Sequence, residues 1–135
     1  MDETGDSSVL LVARCLLAGL FLWSGIGKFG GYDETGLFMA QHGVIGMLLP
    51  AAIAIELTGA LMLIIGFKVR FAALTLAGFC VVTALLFHAN FVDRAQMFHF
   101  LKNLAIAGGL LALYVAGPGR MSFDGAAGED DEQAT

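Results

Sequence analysis

Six residues in this chain carry chemistry inside stretches otherwise fit only for packing: Arg14, Lys28, Glu56, His88, Lys102 and Asn103. Each lies within or at the end of a long apolar run. A charge near the centre of a hydrocarbon layer costs about 2.5–3.5 kcal/mol on insertion scales, so such groups turn inward and find partners. Three cations, a carboxylate, an imidazole and an amide can bind an anion or a carbonyl oxygen and hold a proton between them. Glu56 falls about ten residues from either end of its run, roughly 15 Å deep along a helix. At that depth it cannot reach water, and it requires a basic partner. Arg14, about 8 Å in from the nearer edge of its own run, is the expected one, with Lys102 as the alternative. At about 100° per residue, Ala18, Phe21, Gly25 and Lys28 all fall within about 40° of Arg14. The first helix therefore aims both of its charges the same way. Ala52, Glu56 and Ala60 form a strip with small residues one turn to either side of the carboxylate, which permits close helix approach.

The elements that must position these residues follow from composition. Of 135 residues, 58% are hydrophobic and 14% charged, and the mean hydropathy is +0.80. Those values exclude an ordinary water-soluble fold. The apolar residues fill four near-continuous blocks rather than helical faces or alternating strands, each of roughly 18–21 residues, enough to span a bilayer. The predicted spans are residues 9–29, 46–67, a third that follows a tight turn at Lys68-Val69-Arg70 and continues to about His88, and 97–116. Ser7 and Ser8 are expected to cap the first, and Gly30-Gly31 to end it. Residues 32–43 are amphipathic and too short to cross, which suits an interfacial helix acting as a lid or rim. Pro50 sits near the start of the second span, and Gly117-Pro118-Gly119 closes the fourth.

The expected fold is therefore all-α: an integral membrane antiparallel four-helix bundle with a short interfacial segment between helices 1 and 2, over residues 9–120. Acidic tails, 1–8 and 121–135, are expected to be solvated and mobile. Eight of the twelve acidic residues lie in 1–6 and 124–135. The body between them carries an excess of three positive charges. Those basic residues are few and isolated, which argues against nucleic-acid binding. Lys68, Arg70 and Arg120 share one side with both termini and only Arg94 is loop-borne on the other, so the expected location is a cell membrane, multi-pass, with both termini cytoplasmic. The acidic run before the first block is unlike a secretory signal, so that block is expected to remain in the mature protein.

Simpler accounts compete for the same residues. A buried Arg–Glu pair can fix helix register with no ligand, lysines near span ends can snorkel, and Asn103 can bond a neighbouring helix. Cys15 and Cys80 are read as packing residues. His42, His88 and His99, with Met39 and Met97 nearby, invite a metal reading, but each histidine lies on a different segment and no pair has i, i+4 spacing. No metal motif is inferred. A quinone headgroup between His88, Lys102 and Glu56 is chemically reasonable, since its reduction needs proton donors beside an apolar path for the tail.

One family resemblance covers nearly the whole chain. Arg14 followed by Gly19-x-Phe21 and Ser24-Gly25-x-Gly27-Lys28, then Glu56 with Gly59 and Gly66, open the pattern. Arg70 with Ala72 and Ala73, Phe87-His88, Lys102-Asn103 with Gly108-Gly109, and Gly117-Pro118-Gly119 before Ser122-x-Asp124 complete it. In order and spacing these pieces resemble the DoxX family of small four-span membrane proteins. The resemblance implies a subunit or accessory of a quinone-linked or thiol and oxidative-stress redox complex, working with a redox partner protein. No nucleophile–base set or cofactor motif marks a self-sufficient enzyme. The alternative is a non-enzymatic membrane adaptor or small-molecule carrier. On the first reading Lys28, Glu56, His88, Lys102 and Asn103 converge on one outward-opening polar pocket.

Overall fold

The computed structural model describes residues 3–133, with side chains over 4–128. In chain order the elements are α1 (Glu3–Gly30), α2 (Tyr32–Gln41), a 3-10 turn (Gly46–Leu48), α3 (Leu49–Ile65), α4 (Val69–Phe87), α5 (Arg94–Ala116) and α6 (Phe123–Gln133). The described residues contain no strand. Four helical stretches are long and apolar enough to cross a membrane: Thr4–Gly30, Gly46–Ile65, Val69–Phe87 and Arg94–Ala116. The shortest has 19 residues, about 28 Å of helix, close to the ~30 Å of a bilayer core. Their outward faces are apolar: Trp23 is 83% exposed and Val115 77%. That would be ruinous in water and is what lipid requires.

Local chemistry sets the helix ends. Gly30-Gly31 breaks α1 from α2, and Asp33 and Glu34 face the positive end of the α2 dipole. Pro50 occupies the first turn of α3, where its missing N–H has no carbonyl to serve. Gly66 ends α3 at φ 81°, its N–H and that of Phe67 both donating to the Met62 carbonyl at 2.9 and 3.0 Å. Asp93 caps α5 by accepting from the Ala95 N–H at 2.9 Å.

The helices associate as two tight antiparallel pairs, α1 with α3 and α4 with α5. Small residues permit the approach. Gly25 sits so close to Leu57 and Glu56 that a methyl group would lie 2.7 Å from Leu57 Cδ2. The pairs join where α3 turns into α4, around a core of Ala18, Ala60, Leu63, Leu76 and Leu110, all fully buried. A smaller cluster, Met39, Leu49 and Ile53, seats α2 across the opposite end.

Both tails depart from expectation. α1 begins at Glu3, so Ser7 and Ser8 lie inside the helix rather than at its cap. Residues 121–124 are folded against the bundle. Buried Ser7 accepts the Met121 N–H at 2.8 Å, while Arg14 Nη2 donates to the Met121 carbonyl. The Asp124 carboxylate accepts from Lys68 N and Val69 N at 2.9 and 3.0 Å, capping α4 from 55 residues away in sequence. Ser122 caps α6 by accepting the Gly125 N–H at 2.9 Å, and Phe123 meets Phe67 edge-on at 5.7 Å. The sequence marks these residues as polar and therefore solvated; the structure uses their polarity to satisfy helix ends. Met1, Asp2, Ala134 and Thr135 of the expected tails lie outside the described residues, as do the acidic side chains of 129–133.

Candidate functional site

Glu56 is 3% exposed, and its partner is Lys28, not Arg14 or Lys102. Lys28 Nζ donates to Oε1 at 3.0 Å and faces Oε2 at 2.9 Å, the second contact being one of charge rather than an aligned hydrogen bond. Ser24, one turn before Lys28, completes the group: its hydroxyl donates to Glu56 Oε1 at 2.8 Å and accepts from Lys28 Nζ at 2.5 Å. The ammonium thus donates two hydrogen bonds and lies against a third oxygen, while the carboxylate, 3% exposed, keeps its charge matched, as a buried anion requires.

Helix register explains why Arg14 is elsewhere. In the antiparallel α1/α3 pair Glu56 packs across from Gly25, whereas Arg14 packs under Gly66. From Arg14 to Gly25 is about 16 Å along the helix, beyond a guanidinium's reach. The predicted face of α1 is the buried one, with Arg14 at 0% and Phe21 at 3% exposure. Only the depth of its two charges was misassigned. Arg14 instead bonds the Met121 carbonyl, with Asp124 near enough to attract it and its Nε and Nη1 buried without hydrogen-bond partners.

Between the two helix pairs lies a cavity of about 470 Å³. The core packs the end of the bundle at the α3–α4 turn, and the cavity lies nearer α2, lined there by Thr35, Phe38 and Met39. Lys28, Glu56, His88, Lys102 and Asn103 all line it; Arg14 does not. The remaining wall is mainly apolar, from Leu20 and Phe21 on α1 through Ile55 on α3 to Phe79 and Leu86 on α4. At the rim His88 Nδ1 lies 2.7 Å from Gln96 Oε1, and the His99 ring sits 5.2 Å from that of His88. Among the described residues Lys102 has neither an ion pair nor a hydrogen bond.

Three lining residues escaped the sequence reading as site residues. Ser24 stands one helical turn from Lys28, and that i, i+4 relation was the available signal. His99 precedes Lys102 by three positions and Asn103 by four, the same helical face. Cys80, 2% exposed, packs in the wall, while Cys15 is exposed on the outer face of α1, contrary to its reading as a packing residue. His42 packs with Phe38 and Phe87, ring centroids 4.4 and 5.4 Å away. Among the described residues no three of His, Cys, Asp or Glu gather as a metal site.

Comparisons with known proteins place this membrane-spanning chain in a family. Residues 9–89 match the DoxX family profile. The chain belongs to the DoxX family. It is 45% identical over 124 residues to inner membrane protein YqjF of Escherichia coli (strain K12), covering 92% of this chain and 95% of that protein. Inner membrane protein YphA of the same organism is 33% identical over 124 residues, with 86% and 88% covered. No solved structure matches. The family match extends from residue 9 to 89 and so takes in Lys28, Glu56 and His88 of the DoxX cavity wall; α5, which brings Lys102 and Asn103, lies beyond it. With its four apolar helices, this DoxX protein is a multi-pass membrane protein.

Proposed function

We propose that this DoxX-family protein is a membrane subunit or accessory of a quinone-linked or thiol and oxidative-stress redox complex, and that it supplies the ligand pocket. One observation carries this reading: charged and polar groups from all four spanning helices line a single apolar-walled cavity. Its volume falls within the range of small-molecule sites, about 300–1,000 Å³. The residues fit a quinone. Lys102 and Asn103 offer N–H donors to a carbonyl oxygen, the Lys28–Glu56–Ser24 group can hold a proton beside it, and the leucine and phenylalanine wall accepts a ring and tail. A bound quinone would supply two-electron, two-proton chemistry. The wall has a single cysteine, Cys80, so thiol–disulfide chemistry would need a second thiol from a redox partner protein.

Purified protein titrated with ubiquinone-1 in mild detergent tests the pocket. One saturable site is expected, weakened about tenfold or more by Lys102→Gln. Uptake that rises linearly with quinone, equal in both proteins, would be partitioning into detergent and would remove the reading. It would favour the adaptor alternative, which has one observation on its side: Ser24, Lys28 and Glu56 already satisfy one another.

The proposed orientation places both termini in the cytoplasm. Lys68, Arg70 and Arg120 lie at the α3–α4 turn end and Arg94 at the α2 end, three against one. In a background lacking Cys15 and Cys80, single cysteines at Ser8 and Gly128 should be protected from an impermeant thiol reagent in whole cells, and one at Asp93 labelled. Labelling of the first two with protection of the third would reverse the assignment.

A further inference from the structure

We infer that the cavity takes a single-chain amphiphile with an anionic head, bound by Lys102 and Asn103 with its chain along the apolar wall; this rests on the reading of the cavity as a ligand site. Three observations support it. The first is charge. Lys28 is matched by Glu56, while Lys102 brings a second positive charge into the same apolar-walled space with no partner among the described residues. Lys102 is exposed on the cavity lining, and an ammonium with no carboxylate partner favours an oxyanion over a neutral head through a charge-assisted hydrogen bond. Asn103, half-buried next to it, adds an amide donor.

The second observation is the shape of the opening. Ala51 and Ile55 of α3 and Val82 and Leu86 of α4 line the cavity and keep exposed surface, as does Leu20 of α1. The cavity is thus open rather than sealed, and its accessible wall is apolar and belongs to spanning helices. A ligand that lies along such a wall has an apolar body; a small hydrophilic anion does not.

Size is the third. At 470 Å³ the cavity lies within the range of small-molecule sites, about 300–1,000 Å³, which suits a head and one chain of moderate length. The head is a carboxylate or a phosphate, which share the recognition chemistry: a free fatty acid or a lysolipid-type phosphate.

Equilibrium binding to the protein in phosphatidylcholine nanodiscs, with radiolabelled decanoate, decyl phosphate, decanol and ubiquinone-1, separates the outcomes. Decanoate or decyl phosphate should bind saturably and at least about tenfold tighter than decanol. Whichever of the two anions binds more tightly identifies the source of the head. Lys102→Gln should abolish that preference and Lys102→Arg restore it, with the melting temperature nearly unchanged in both because Lys102 makes no hydrogen bond or ion pair among the described residues. Decanol binding as tightly as the anions, or an anion preference that survives Lys102→Gln, would overturn the inference. If ubiquinone-1 saturates and neither anion does, the ligand site stands and the anionic head is wrong. If none of the four probes saturates, the reading of the cavity as a ligand site fails with it.

Discussion

Replacing Lys28 alone should destabilise the protein by about 3–5 kcal/mol, because Lys28→Met strands the Glu56 carboxylate in a site that is 3% exposed. The double variant Lys28→Met/Glu56→Leu should recover most of that loss. Buried ion pairs replaced together by apolar side chains are commonly neutral or better, since neither charge is left without its partner. Glu56→Gln should cost less than Glu56→Leu in the presence of Lys28, because the amide oxygen still accepts from Ser24 and Lys28. The measurement is a double-mutant cycle of unfolding free energies in detergent. Lys28 and Glu56 should show a coupling of several kcal/mol, whereas Arg14→Leu and Glu56→Leu, more than three helical turns apart in register, should add. Additive losses at Lys28 and Glu56 would mean that the two groups are not paired.

A second large loss is expected from a single methyl group. Gly66→Ala should destabilise the fold by at least about 2 kcal/mol, because a β-carbon at φ 81° is already disfavoured by about 1–3 kcal/mol. At this position it would also run into Arg14 Nη1 and the Ser122 backbone. The guanidinium has nowhere to retreat, being fully buried and holding the Met121 carbonyl. The loss should be accompanied by release of the C-terminal segment, since Asp124 N donates to the Gly66 carbonyl at 2.9 Å. Thermal unfolding gives the stability change, and hydrogen exchange at Lys68 and Val69, whose amides Asp124 caps, reports the release. Gly78→Ala, where a methyl group would meet nothing within 4 Å, is the control expected to leave stability nearly unchanged. Equal effects at the two glycines would contradict the packing described for Gly66.

Spans, order and the inward face of α1 were legible in the sequence because each depends on spacing within one helix. Block length marked the four crossings, and the 100° step carried Arg14 and Lys28 to the buried side. Register between helices was not legible. Counting from span edges put Arg14 within reach of Glu56, but α1 starts at Glu3 and runs 28 residues while α3 begins only at Leu49. The offset moves Lys28 and Ser24 to the carboxylate and Arg14 to Gly66. The C-terminal clasp was hidden for another reason. Ser122 and Asp124 act on groups brought close only by the folded bundle, so in sequence they look like any polar pair after a helix stop. The cavity itself lies between residues of five helices that only the folded bundle brings together, and no helical period encodes that.

The central claim is that the space between these pairs holds a membrane-borne ligand. Native mass spectrometry of the protein released from detergent, compared with Ala52→Phe, tests it most directly, because Ala52 lines the cavity and a phenyl ring there would obstruct it. The wild-type protein should carry one amphiphile per chain, and Ala52→Phe should lose that adduct while keeping its helical circular dichroism and cooperative melting. An adduct retained at the same stoichiometry by folded Ala52→Phe, or its absence from the wild-type protein, would contradict the account.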